Sequence, residues 1–182
     1  YTSSHTLSLH DALPICWGLD PQEVRDLLPA LRGALGWLLE HAAPDEDGLL
    51  KYVDASGHGL TNQGWKDSAD SVRWHDGRIA DAPIALVEAQ AYAVEAAGCA
   101  ATVLRALGSG EDDQALADRV EAWGTALKQR VRERFWVGSG AQRRLAIAID
   151  GGGRAVDGVA SNMGHVLGTG TLTPTEATDV AA

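Results

Sequence analysis

Apolar residues recur every three or four positions along the segment that follows Asp20. Asp20 and Pro21 are typical of a helix N-cap and of the first position inside a helix. The apolar positions fall on one face of such a helix: Val24, Leu27, Leu28, Leu31, Leu35 and Leu38. The pattern therefore predicts an amphipathic helix from Pro21 to about Ala42.

Two further helices are predicted between residues 83 and 135. Within residues 83–107 only Glu88, Glu95 and Arg105 are charged, so this helix should be buried on all sides. Residues 111–135 carry apolar side chains on one face, with acidic residues at the start and basic residues at the end, as the helix dipole favours. They predict a second amphipathic helix.

The rest of the chain is predicted to form loops, one hairpin and two shorter helices. The Gly, Asp, Ser and Asn content of residues 49–81 indicates a long irregular loop, with one short strand at residues 49–53. Residues 145–149 alternate and stop at a glycine turn, which is typical of a β-hairpin. Residues 161–167 and 174–182 have helical patterns.

The order amphipathic, buried, amphipathic predicts the architecture. Two concentric layers of antiparallel helices produce this order, because outer helices expose one face to water and inner helices expose none. We therefore expect an all-α fold of the α/α-toroid kind, with a cleft built from loops at one end.

The net charge limits the partners. The chain has 15 basic and 25 acidic residues, a formal charge of −10, which is the wrong sign for binding a phosphate backbone or an anionic membrane surface. The longest apolar stretch, residues 82–104, is interrupted by Glu88, Gln90 and Glu95, which are costly in hydrocarbon. We expect neither a nucleic-acid partner nor a membrane span.

Cysteine and histidine usage points to a reducing compartment and to no bound metal. Cys16 and Cys99 are too few for a disulfide framework, so the cytoplasm is the expected location. The histidines lack zinc-ligand spacing, and the glycine runs lack the fingerprints of phosphate-binding loops. No cofactor is expected.

The N-terminal residues are expected to have a different origin from the rest, the alternative being a genuine disordered tail. Residues 5–15, HTLSLHDALPI, resemble the translation of a widely used DNA-sequencing adapter, codon for codon. We therefore expect residues 1–15 to be a non-native segment that packs against nothing, and residues 16–182 to carry the domain.

The predicted long loop holds the residues that could carry chemistry. It brings Trp65, Asp67, Asp70 and Trp74 close together in the sequence. A carboxyl group beside aromatic rings keeps its proton at neutral pH, as a general acid must, and glycoside cleavage needs two carboxyl groups. The alternative is a solvated polar loop that Trp65 and Trp74 anchor to the core.

Three motifs in this order resemble a known enzyme family. They are GHGLTNQGWKDSADS in the loop, PIALVEAQAY at the start of the buried helix, and VASNMGHVLGTG near the end. Together they resemble bacterial glycogen-debranching proteins of the amylo-α-1,6-glucosidase type, which belong to the (α/α)6-toroid glycoside hydrolases of the trehalase-like superfamily. The resemblance covers roughly residues 18–182.

The resemblance implies a fold and a reaction. It implies a partial (α/α)6 toroid with about half of the helices, a long cleft loop and a short β-hairpin. The parent protein would hydrolyse an α-glucosidic bond of an oligo- or polysaccharide with inversion. Asp67 would be the general acid, with Asp70 as the alternative. The general base would be a glutamate beyond Ala182, so this chain alone would be inactive.

The resemblance also implies a set of substrate-binding residues. From the helix it implies Glu88, Gln90 and Tyr92, and from the third motif Asn162 and His165. From the loop it implies Trp65, Lys66 and Trp74. The alternative for these residues is purely structural, such as a paired helix carboxylate or an N-cap. Two other functions stay open, namely trehalase-like or glucosylglycerate- and mannosylglycerate-type hydrolysis, and a non-catalytic sugar-binding helical module.

Overall fold

The computed structural model describes residues 20–43, 46–52 and 70–181. Residues 1–15 and the predicted site residues Trp65, Lys66 and Asp67 lie outside these ranges. Packing at the N-terminus and the role of the proposed acid therefore stay predictions.

Helices form most of the described chain, and a small antiparallel sheet lies beside them. The helices of these ranges are α1 (Pro21–His41), α2 (Val87–Leu107), α3 (Glu111–Arg134) and α4 (Pro174–Ala181), with 3₁₀ helices at Gly140–Gln142 and Ser161–Val166. The mostly helical class predicted from the sequence is confirmed. None of the described helices is long and apolar enough to cross a membrane.

The described strands are short and form two antiparallel sheets. They are β1 (Ala85–Leu86), β2 (Trp136–Val137), β3 (Arg144–Leu145), β4 (Ala148–Ile149) and β5 (Ala155–Val156). One sheet has the order β1-β4-β5, and the other pairs β2 with β3. The predicted hairpin is present as β4 and β5, but Leu145 belongs to the other sheet because it pairs with Trp136.

α1 begins at Pro21 and ends at His41, close to the predicted limits. Its N-cap is Asp20, whose Oδ1 accepts a hydrogen bond from the backbone N–H of Gln22 at 2.8 Å. Farther along, Arg32 donates hydrogen bonds of 2.6 and 2.7 Å to the two carboxylate oxygens of Asp113 in α3. A two-pronged contact of this kind fixes orientation, so it sets how α1 lies on α3.

α2 begins at Val87, whereas the sequence predicted a start at Pro83. The predicted first turn is extended instead, because Ala85 and Leu86 pair with Ile149 and Ala148 of β4. The chain therefore runs from strand β1 of this short sheet directly into the first turn of α2, which carries Glu88.

The helices α2 and α3 pack closely, but α2 is not buried on all sides. A Cβ atom added to Gly124 of α3 would lie 2.7 Å from the Cβ of Ala97 in α2, so only glycine allows this approach. Beside this contact, Gly98, Thr102 and Arg105 of α2 are exposed, and Arg105 donates hydrogen bonds to Asp118 and Glu121 of α3. The prediction of burial on all sides is therefore wrong for this second half of the helix.

Three further predicted segments also differ from expectation. Residues 72–80, predicted as irregular, form a tight hairpin in which Arg73 bridges Ile79 and the N–H of Ala80 bonds to the carbonyl of Val72. The predicted strand at 49–53 is reduced, in its described part, to a single bridge between Tyr52 and Ile84. The helix at Ser161–Val166 is of the 3₁₀ type.

Candidate functional site

The first turn of α2 and the 3₁₀ helix Ser161–Val166 meet through a buried polar pair. Glu88 and Asn162 are each 5% exposed. The side-chain amide of Asn162 donates a hydrogen bond to Oε1 of Glu88. Since a buried carboxyl group is tolerated only where such donors reach it, this bond holds both side chains in place.

A second polar pair lies one helical turn farther along α2. The hydroxyl group of Tyr92 is 2.6 Å from Nδ1 of His165, and the two rings meet edge to face with their centroids 6.2 Å apart. Burial raises the pKa of Tyr92, and the nearby charges of Glu88 and Glu95 raise it further. The phenol therefore keeps its proton, and which of the two groups donates the hydrogen bond depends on the tautomer of the imidazole.

The spacing of the four residues explains why they meet in pairs. Glu88 and Tyr92 are four residues apart on an α-helix, so they lie one above the other on one face. Asn162 and His165 are three residues apart on a 3₁₀ helix, where residues at this spacing are eclipsed. The α-helix and the 3₁₀ helix thus face each other with two polar rows, one of Glu88 and Tyr92 and the other of Asn162 and His165.

Tyr52 is a neighbour of this site that sequence reasoning missed. Burial raises its pKa, and the charge of Glu88 raises it further. Tyr52 packs on the same buried cluster as Ala89 and Met163, which are the sequence neighbours of Glu88 and Asn162. Its backbone N–H bonds to the carbonyl oxygen of Ile84 at 3.3 Å, so the residue lies at the edge of the β1 sheet. The one available signal was the short strand predicted at residues 49–53, which indicated pairing but not a partner.

Gln90 faces away from the polar rows. Two residues along an α-helix correspond to a rotation of about 200°, so Gln90 projects from the side opposite Glu88. It is fully buried, and its amide bonds to the main chain of Leu50 and to the carbonyl oxygen of Leu86. Every one of these bonds is internal, so the geometry gives no support to the predicted contact between Gln90 and a sugar.

Asp70 and Trp74 lie in or beside the hairpin of residues 72–80. Asp70 is exposed, and its Oδ2 accepts a hydrogen bond from Arg73 at 2.6 Å. The ring of Trp74 is half-buried, with the guanidinium groups of Arg78 and Arg154 at 5.4 and 5.3 Å from its centroid. Both distances are those of cation–π contacts. Part of the ring surface is therefore already in use, which limits how far a sugar could stack on Trp74.

A groove lies near the polar rows but does not include them. Its volume is ≈ 480 Å³, and it runs between the second half of α2, α3 and the turn at residues 168–170. Glu95, Thr102 and Lys128 are among its lining residues, whereas Glu88 and Tyr92 are not. The polar rows and this groove are therefore separate features of α2.

The described side chains offer hydrogen-bonding chemistry and no metal centre. Across residues 20–43, 46–52 and 70–181, no three His, Cys, Asp or Glu side chains are grouped as metal ligands would be. The rows instead combine a carboxylate, an amide, a phenol and an imidazole, which together can both donate and accept hydrogen bonds. Only Tyr92 and His165 are accessible enough to offer these groups to the hydroxyl groups of a ligand, because Glu88 and Asn162 are buried and bond to each other.

Comparison with protein-family models and with curated proteins finds no match to this chain. Function is therefore inferred from this geometry and from the resemblance of the three motifs.

Proposed function

We propose that this chain is part of a glycoside hydrolase of the glycogen-debranching type, whose parent protein hydrolyses α-1,6-glucosidic bonds with inversion. The observation that carries the proposal is the pair of hydrogen bonds, Asn162 to Glu88 and Tyr92 to His165, that join the second motif to the third. Residues separated by more than seventy positions meet side chain to side chain, although nothing in the spacing alone requires it.

The described residues on either side of the first motif pack on one buried cluster. Tyr52 precedes the motif GHGLTNQGWKDSADS and packs on the cluster that contains Ile84 and Leu86, and Val72, directly after the motif, belongs to that cluster. Most of the motif lies outside the described residues, so its approach to the other two motifs is part of the proposal.

In the proposed reaction the described residues bind and orient the sugar. The hydrogen bond between Glu88 and Asn162 fixes one end of the two polar rows. At the other end Tyr92 and His165 offer a phenol and an imidazole. Asp67 is the proposed acid that protonates the leaving oxygen, with Asp70 as the alternative. The second carboxyl group is expected from the resemblance to lie beyond Ala182, and the closed (α/α)6 ring is likewise part of the proposal.

Product analysis on the parent protein tests the proposal. The parent is incubated with limit dextrin, maltooligosaccharide and trehalose, and the first anomer released is read by proton NMR before it mutarotates. We expect glucose from limit dextrin in the β form, because inversion of an α bond gives the β anomer. Release of the α anomer, or hydrolysis of trehalose in preference to limit dextrin, would contradict this assignment. Sugar binding without any hydrolysis would favour the binding-module alternative.

A further inference from the structure

We propose that Tyr52 is a further member of the candidate site and that Gln90 is the residue that positions it there. The role of Tyr52 in substrate binding rests on the proposed function. The positioning by Gln90 rests on the hydrogen bonds alone and can be tested without any substrate.

The register of the sheet shows what Gln90 replaces. Tyr52 bridges Ile84 in antiparallel fashion, so the next hydrogen-bonded pair along that ladder, two residues farther, would be Leu50 with Leu86. Leu50 and Leu86 share no backbone hydrogen bond, because the chain turns into α2 at Val87. The edge segment would lose its partner one pair after Tyr52.

The side-chain amide of Gln90 fills this gap in the ladder. Its Oε1 accepts a hydrogen bond from the N–H of Leu50 at 2.9 Å, and its Nε2 donates to the carbonyl oxygen of Leu50 at 2.9 Å. The same Nε2 donates to the carbonyl oxygen of Leu86 at 3.0 Å. The amide thus bonds to Leu50 as an opposing peptide group would, and both of its amide hydrogens are used.

The positioned segment leads straight to the polar row of α2. Leu50 and Tyr52 are two residues apart on an extended chain, so fixing the main chain at Leu50 also fixes the direction of the Tyr52 side chain. Tyr52 packs on a buried cluster that contains Ile84 and Leu86, and Ala89 and Met163, the sequence neighbours of Glu88 and Asn162, pack on the same cluster. Gln90 therefore acts on the site from the far side of the helix, through the strand.

Hydrogen exchange tests the positioning in the wild-type chain and in Gln90→Leu, which keeps the volume and removes the three bonds. We expect the side-chain amide of Gln90 and the backbone amide of Leu50 to exchange slowly in the wild type. In Gln90→Leu the Leu50 amide should exchange at least tenfold faster. Val120→Ala, a truncation in a separate part of the α2–α3 core, is the control for general destabilisation. Exchange of the wild-type Gln90 amide as fast as that of the exposed Gln142 would overturn the inference even if the variant fails to fold.

The ionisation of Tyr52 gives a second measurement, with Val120→Ala as the reference for general destabilisation. Burial and Glu88 raise the pKa of Tyr52 above its ordinary value of 10.0. In Gln90→Leu the phenol should move away from Glu88, and its pKa should fall back towards that value. Difference absorbance against Tyr52→Phe isolates the Tyr52 signal from those of the other tyrosines. An unchanged Tyr52 titration in Gln90→Leu, with Val120→Ala as the reference, would refute the positioning role.

Kinetics of the parent protein test the role of Tyr52 in binding. Loss of one hydrogen bond to a sugar hydroxyl in Tyr52→Phe should raise KM by roughly three- to tenfold and change kcat less. Wild-type KM in Tyr52→Phe would remove Tyr52 from the site while leaving the glycosidase assignment intact. A parent without hydrolytic activity would refute the proposed function, and the exchange and titration results would still decide the positioning by Gln90.

Discussion

The phenol oxygen of Tyr92 lies 2.6 Å from Nδ1 of His165 and joins α2 to the 3₁₀ helix. Because burial and two nearby carboxylates raise the pKa of Tyr92, its hydroxyl stays protonated and can donate to Nδ1. A neutral imidazole that accepts at Nδ1 carries its proton on Nε2. We therefore expect the Nε2–H tautomer of His165 at this contact.

The first prediction concerns this tautomer. At a pH where His165 is neutral, its ring nitrogen shifts in the wild type should be those of the Nε2–H form. Tyr92→Phe removes the donor, so the two tautomers should become mixed while the fold is retained. Nitrogen-15 NMR of the His165 ring measures the change. A wild-type ring already in the Nδ1–H form would contradict the assigned direction of the bond.

The second prediction concerns the amide that holds Glu88. Asn162→Asp places a second carboxyl group against Glu88 inside the protein, where like charges repel strongly. Relative to the wild type, the variant should lose about 3 kcal/mol of unfolding free energy at neutral pH. The loss should shrink at about pH 4, since a shared proton lets two carboxyl groups hydrogen-bond to each other.

The control for that prediction is the exchanged pair. In Glu88→Gln combined with Asn162→Asp, an amide again faces a carboxyl group, and most of the lost stability should return. Denaturant unfolding of the wild type, Asn162→Asp and the double variant at both pH values gives the six free energies needed. The same deficit at both pH values, with no recovery in the double variant, would show that the two side chains are not coupled.

The third prediction uses two glycines to test the packing of α2 on α3. Gly124→Ala introduces a methyl group where a Cβ would lie 2.7 Å from that of Ala97, so it should destabilise the fold by about 1–3 kcal/mol. Gly98→Ala lies on the exposed side of α2 with nothing within 4 Å, and it should stabilise the helix by about 0.5–1 kcal/mol. Thermal unfolding of both variants should therefore shift in opposite directions.

The fourth prediction concerns the pH dependence of the contact between α1 and α3. The Arg32 guanidinium and the N–H of Ser109 lower the pKa of Asp113 to about 2, from its usual 3.8. A carboxyl group whose pKa is lowered on folding stabilises the fold above its unfolded pKa, and this contribution is lost as the pH falls from about 4 towards 2. Asp113→Asn should thus be less stable than the wild type at pH 7, and the difference should narrow over that range.

The exposed neighbour Asp112 is the matched control for this ion pair. Asp112→Asn changes the same charge at the same helix start but has no described partner on α1. Unfolding followed by circular dichroism from pH 7 to 2 compares the two variants. Equal losses in both would assign the effect to the helix dipole and not to Arg32.

The helices that periodicity and capping specify were predictable, and their junctions were not. Asp20 and Pro21 mark the start of α1 in the sequence because they act locally. The start of α2 depends on β4, which lies more than sixty residues away along the chain, and no local pattern encodes that pairing. The exposed side of α2 was equally invisible, since a run of alanines does not specify which neighbours are present.

The candidate site was predictable as a set of residues but not as a set of roles. Glu88, Tyr92, Asn162 and His165 were singled out by the motifs, and they meet in pairs. Gln90 was singled out with them, yet it lies on the other side of the helix, where it bonds to Leu50 and Leu86. The contribution of Tyr52 depends on a long-range bridge to Ile84, which composition does not reveal.

Turnover of two aspartate variants in the parent protein tests the proposed glycosidase reaction most directly. Asp67→Asn removes the proposed acid, and loss of proton donation typically costs a factor of about 10² to 10⁴ in rate. Asp70→Asn removes an exposed carboxylate that bonds to Arg73, so its effect on kcat should be much smaller. The result expected is a fall in kcat of two to four orders of magnitude for Asp67→Asn alone, with an unchanged fold by circular dichroism. An equal fall in both variants, or a larger one in Asp70→Asn, would contradict the assignment of the acid, and wild-type turnover in both would exclude both aspartates from that role.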